Sequence, residues 1–251
     1  MTSTMGRNSG KYAAAAVFWL AVWQLAAAAA NRTLLIPIPT PLDTAAALWR
    51  FAGQGSFYVT VGASLLRILA GFLSALIVGT VCAVLSAKWE WFHILTAPLL
   101  HLIRAIPVAS FTILVFLWVS RGRIPSAISF FTVLPIVWAD VESGIRTADR
   151  QLSEMARVFG MGRWQILRRI TLPEAAPFFR TAVAGGLGFA WKSGVAAEVI
   201  CRSQTSIGNL LWVGKTSISY DEVFAVTLVI VLLSAALQWM ARQILKGGGE
   251  A

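Results

Sequence analysis

Six apolar runs, separated by short polar or proline-bearing stretches, constrain this chain more than any other feature. They fall at 13–30, 59–87, about 105–120, 126–144, 181–200 and 222–245. A helix needs about 20 apolar residues to cross a bilayer, and a chain in hydrocarbon must satisfy its backbone polar groups internally. The expected fold class is therefore all-α: a polytopic membrane protein of about six transmembrane helices. One domain over 1–251 is expected, with its core at about 55–245. Composition agrees, with 57% hydrophobic residues against 13% charged and a mean hydropathy of +0.72. A globular domain cannot bury that much apolar surface. The formal charge of +10 would suggest nucleic acid in a soluble protein. In a membrane protein it reads as basic cytoplasmic loops, so no nucleic-acid partner is expected.

In chain order, the first run is a span, with a cleaved secretory signal as the competing reading. The prolines in LLIPIPTP, residues 34–41, exclude helix there. A short helix over 40–50 follows, with Leu42, Ala45, Ala46 and Trp49 on one face, lying on the outer surface. Arg67, near the outer end of the second run, is expected to anchor at the interface. Residues 88–107 suit a cytoplasmic turn and an interfacial helix. Residues 201–221 read as an external polar segment.

Between the fourth and fifth runs lies the longest strongly polar stretch, EMARVFGMGRWQILRRITLP at 154–173, within a loop of about 145–180. At helical spacing Met155, Val158 and Phe159 share a face, away from Glu154 and Arg157. Gly160 and Gly162 can turn the chain at positive φ. A second short helix follows, with Trp164, Leu167 and Ile170 at three-residue steps, and Pro173 is expected to stop it. A helix, a glycine corner and a helix, basic on one side and apolar on the other, make a docking element. With six spans both termini share one side. That side receives thirteen Lys and Arg, counting Arg7, Lys11, Lys88, Arg104, Arg146, Arg150, Arg157, Arg163, Arg168, Arg169, Arg180, Arg242 and Lys246. The other receives six, namely Arg32, Arg50, Arg121, Arg123, Arg202 and Lys215. The imbalance puts the loop and both termini in the cytoplasm.

Ionisable groups inside spans suggest function. Lys192 and Glu198 in the fifth run are about 9 Å apart along a helix, too far to pair within it. With Trp191 they are the candidates for a translocation path, Lys192 as the group to meet an anion. Asp140 and Glu142 are expected to be solvated or paired with arginines of the loop. His93 and His101 lack a further ligand pattern, and Cys82 and Cys201 suit neither a disulfide framework nor a zinc site, so no metal is expected. There is no Walker-type glycine loop and no nucleophile with its base, so neither catalytic residues nor ATP hydrolysis by this chain is expected.

The docking stretch resembles a signature of permease subunits of ATP-binding-cassette importers: E-A-A, three residues, G, nine residues, I-x-L-P. Glu154, Met155 and Ala156, then Gly160, then Ile170, Leu172 and Pro173 match every spacing, with Met155 where the pattern has Ala. LIPIPTP, SLLRILAGF, HLIRAIP and FAWKSGVAAEVI are similar to stretches of permeases for nitrate, sulfonate and taurine, a likeness running from about residue 34 to the C-terminus. The resemblance implies a type I importer permease in the bacterial inner membrane. Its coupling helix would comprise Glu154, Met155, Ala156, Arg157, Val158, Phe159 and Gly160, with Ile170, Leu172 and Pro173. It implies a cytoplasmic ATPase dimer that carries the ATP and magnesium, a second permease copy, an extracytoplasmic solute-binding protein and surrounding lipid. It also implies alternating access, with a small anion as cargo. The alternative is an ion-coupled secondary transporter using Lys192 and Glu198, which would carry an inverted repeat.

Overall fold

The computed structural model describes residues 5–32, 37–148 and 150–246. Among them the regular structure is helical: α1 (Met5–Ala30), α2 (Pro41–Ala52), α3 (Gly55–Lys88), α4 (Glu90–Ala105), α5 (Val108–Phe116), α6 (Ile124–Thr147), α7 (Arg150–Val158), α8 (Arg163–Ile166), α9 (Leu172–Cys201), α10 (Ile207–Thr216) and α11 (Tyr220–Lys246). Two compact units form, Met1–Tyr58 with Leu210–Ile230, and Val59–Asn209 with Val231–Ala251.

In the first unit, Asn31 pairs with both the amide and the carbonyl of Ile38 (2.7 and 3.0 Å), and the Trp23 indole donates to the Pro39 carbonyl (3.1 Å). These bonds satisfy backbone groups that prolines leave without helical partners. Within the proline-rich stretch, 33–36 lie outside the described residues. Helix α2 then starts where sequence chemistry dictates. Thr40 is its N-cap, Pro41 occupies the first turn, and Asp43 closes a reciprocal capping box. The Thr40 hydroxyl and amide both donate to the Asp43 carboxylate, holding its pKa below the ordinary aspartate value. The packed face of α2 is Thr44, Ala47 and Phe51. The expected face is turned outward, with Leu42 and Trp49 72% and 83% exposed.

The second unit is built on α6 against α9. Ser129 donates to the Ala190 carbonyl (3.1 Å), and the Thr132 and Ser193 hydroxyls meet at 2.9 Å. Helix α3 joins them at Gly71, where an added Cβ would come 2.1 Å from the Ser126 carbonyl oxygen. Such contact between backbones is how membrane helices gain dispersion energy.

Among the described residues, α3, α6 and α11 are long and apolar enough to cross a bilayer. The apolar part of α1 is shorter, Ala14–Ala30. At 30 residues α9 is about 45 Å long, but the small and polar residues it buries make it less apolar. The third expected span is corrected. α5 has only nine residues, about 14 Å, and it bends 101° from α4. Pro107 sits at the joint and, lacking an amide, cannot continue α4. The expected stop at Pro173 is also corrected. Leu167–Thr171 forms a π turn in which the Leu172 amide reaches back to the Leu167 carbonyl. Backbone angles stay helical at Ile166, Thr171 and Leu172, so Pro173 sits inside a continuous helix, just after the π turn that interrupts the regular hydrogen-bond ladder. The second docking helix therefore runs on into α9.

Candidate functional site

The element expected to dock begins with α7. Gly160 takes φ +80°, the left-handed conformation that favours glycine. Gly162, by contrast, is extended at φ −69° and serves as the N-cap of α8, its amide held by the Gln165 side chain at 3.1 Å. One side of the element is packed: Ala156, Ile166 and Ile170 are buried together, with Met161 against them. Of the expected apolar series Trp164, Leu167 and Ile170, only Ile170 is buried. Trp164 is exposed, and Ile166 takes the inner place. The signal for Ile166 was its four-residue step to Ile170. The other side is bare, with Met155, Val158 and Phe159 55%, 86% and 79% exposed. Glu154, Arg157 and Leu172 are also exposed, as is Pro173.

The fifth-run candidates separate. Lys192 shares an exposed stripe of α9 with Gly185, Phe189 and Ala196, whereas Trp191 and Glu198 are buried. Phe189 lines a cavity of about 430 Å³ with Arg104, Phe131, Thr132, Pro135 and Asp140. The bent pair α4–α5 therefore faces a space with one cation and one carboxylate, irregular backbone being tolerated at membrane depth where it lines a cavity. Arg104 donates to the Pro135 carbonyl at 2.6 Å. Sequence reading had put Arg104 in an interfacial helix and left Phe131, Thr132 and Phe189 unnoticed. Their only signal is the Pro107 break.

Glu198 is the hub of a junction. Its Oε2 accepts from the Ser64 hydroxyl (2.9 Å) and the Gly208 amide (3.2 Å), while Ser64 Oγ accepts from the Ile207 amide (2.9 Å). Side chains from α9 and α3 thus satisfy the free amides at the N-terminus of α10. Oε1 makes no hydrogen bond and faces Arg67 Nη1 at 3.6 Å. Arg67 does not snorkel. It donates to the carbonyls of Gln204 and Thr205 (3.3 and 3.2 Å), in a turn where Arg202 and Thr205 adopt φ of 51° and 49°. Nor is 201–221 simply an external polar segment, since Ser203, Ser206 and Ile207 are buried and α10 follows. Local sequence hid this because the partners lie 134 to 143 positions apart.

At the opposite end of α6, Glu142 is buried and accepts from Arg146 Nε (2.8 Å), with His93 Nδ1 at 2.6 Å. Arg146 also reaches Glu90 (3.3 Å) and the Ser86 carbonyl (3.0 Å). The expected arginine partner is present, one helical turn away.

The comparisons with known proteins match this architecture. The riboflavin transport system permease protein RibX of Chloroflexus aurantiacus is 28% identical over 224 residues, covering 88% of this chain and 82% of that protein. The putative aliphatic sulfonates transport permease protein SsuC of Escherichia coli is 27% identical over 229 residues, covering 90% and 86%. A solved bacterial alginate ABC transporter superposes with a TM-score of 0.65 over 98% of this chain and 97% of that one, at 14% identity, a likeness of fold. The family model for the binding-protein-dependent transport system inner membrane component matches residues 75–247. The chain belongs to that family: it is a multi-pass, inner-membrane permease subunit of an ABC importer.

Proposed function

We propose that this permease imports a small anion, with nitrate, an organic sulfonate or taurine as the leading cargo, and is driven by a separate cytoplasmic ATPase dimer that holds the ATP and magnesium. The observation that carries the drive is the bare apolar knuckle Met155, Val158 and Phe159, backed by buried Ala156, Ile166 and Ile170. A stiff element with one packed face and one unpartnered face transmits force from whatever grips the second. Because α8 continues into α9, a pull on the knuckle acts directly on a membrane helix. Glu154, Arg157, Gly160, Leu172 and Pro173 complete this coupling region.

Relatives are named for a flavin and for sulfonates, so the fold alone does not fix the cargo. Lys192 on the exposed stripe of α9 favours an anion. The orientation follows the basic loops, with both termini and the knuckle cytoplasmic. A second copy of the chain completes the path, and an external solute-binding protein delivers cargo. Alternating access then follows from rocking of the spans.

The test is co-purification with the ATPase subunit and binding-protein-dependent uptake. Gly160→Pro, Glu154→Lys and Phe159→Asp should each lower ATPase retention at least tenfold while the permease still inserts. Lys192→Gln should lower uptake and leave retention unchanged. Normal retention in all three coupling variants, or Arg163 labelled from outside the cell, refutes the coupling assignment. Unchanged uptake with Lys192→Gln refutes the path assignment.

A further inference from the structure

Where α9 and α11 run side by side, Arg180, Thr181, Ala184, Gly185, Arg242 and Leu245 line a cavity of about 420 Å³. Two arginines line it, and among the described residues no carboxylate forms a salt bridge with either. Two like charges facing one space repel, and an anion between them removes that cost. The rest of the lining is apolar or small. An added Cβ at Gly185 would touch nothing within 4 Å, so its side of the helix is open. Arg180 stands where the basic docking element meets the apolar part of α9, and Arg242 near the end of the apolar run of α11. On α11 the neighbours Trp239, Met240 and Ile244 are 62%, 50% and 73% exposed. Exposed apolar side chains and a tryptophan beside arginines at a span end mark the headgroup level of a bilayer.

We infer that Arg180 and Arg242 clamp the phosphodiester of an anionic phospholipid, whose first acyl carbons lie over Ala184 and Leu245. The amphipathic lining favours a lipid over a free anion, because a free phosphate would leave the apolar side unmatched. A basic pocket between membrane helices is a recurrent lipid-headgroup site. Assigning the lipid to the cytoplasmic leaflet rests on the orientation proposed above, whereas the clamp does not. Bound there, the lipid would tether the docking-element end of α9 to α11.

The full chain would be reconstituted in nanodiscs of phosphatidylglycerol and phosphatidylcholine in equal amounts, and retained lipid measured by native mass spectrometry. Wild type should keep phosphatidylglycerol in preference, and the preference should fall as salt rises. Arg180→Gln with Arg242→Gln should lower the preference roughly tenfold. The matching lysine pair should keep most of it, which a merely structural role for the arginines would not give. Should the double variant fail to insert, Arg242→Gln alone, at an exposed position, serves with the salt series. An equal preference in wild type and glutamine variants overturns the inference, as does a preference indifferent to salt. Inorganic phosphate bound as tightly as phosphatidylglycerol would make this a phosphate site and also overturn it. None of these readouts involves the ATPase or uptake, so failure here is distinct from failure of the coupling assignment.

Discussion

Replacing Glu198 by alanine removes the single acceptor shared by the Ser64 hydroxyl and the Gly208 amide, both in a buried setting. Each buried donor left without a partner costs about 1–3 kcal/mol. The Arg67 guanidinium, 3.6 Å from Oε1, also loses its counter-charge. Together these give about 3–5 kcal/mol, the range for breaking a buried ionic pair. Glutamine keeps an oxygen for both donors and loses only the charge, so Glu198→Gln should cost about 1–2 kcal/mol. The loss should be local, freeing the turn at 202–206 before the α6–α9 pair. Ser203 is fully buried in that turn, so a Ser203→Cys thiol reports its opening, in a background lacking Cys82 and Cys201. With opening in equilibrium, 3 kcal/mol raises the labelling rate about 150-fold. Glutamine should raise it by about tenfold. Alanine labelling within threefold of wild type, or glutamine as fast as alanine, would refute the reasoning that Glu198 holds the start of α10.

Two smaller predictions concern packing and capping. Gly71→Ala places a Cβ 2.1 Å from a carbonyl oxygen of α6, whereas Gly79→Ala comes no closer than 3.1 Å to Val137 Cβ and Cγ1 and 3.3 Å to the Leu134 carbonyl oxygen. The first should destabilise by about 1–3 kcal/mol and the second by less, read by denaturant unfolding in detergent. Equal effects would remove the backbone-contact argument. Asp43, with its pKa depressed in the fold, contributes its cap fully above its unfolded value of about 3.9 and loses it as pH falls through the lower folded value. Exchange protection of α2 amides, corrected for intrinsic rates, should therefore drop below about pH 4 in wild type. Asp43→Asn should flatten that pH dependence, and an identical profile would show that the cap does not titrate.

Composition and local chemistry determined much of this protein. The apolar runs required helices in lipid, Thr40, Pro41 and Asp43 fixed the start of α2, and the positive φ at Gly160 needs only a residue without a Cβ. The spacing from Glu154 to Pro173 marked a helix, a glycine corner and a second helix. Such features depend on hydrogen bonds or sterics within a few residues, so they can be read locally. Tertiary structure decided the rest. It set which face of α2 packs, let a π turn carry the chain past Pro173, and shortened the third span at Pro107. It also turned Arg67 from an expected lipid anchor into a clasp on the turn before α10, and put Lys192 and Glu198 in opposite environments on one helix. The junction at Glu198 depends on groups more than a hundred positions apart competing for the same buried space. Burial energy belongs to the packed arrangement, and a linear pattern does not contain it.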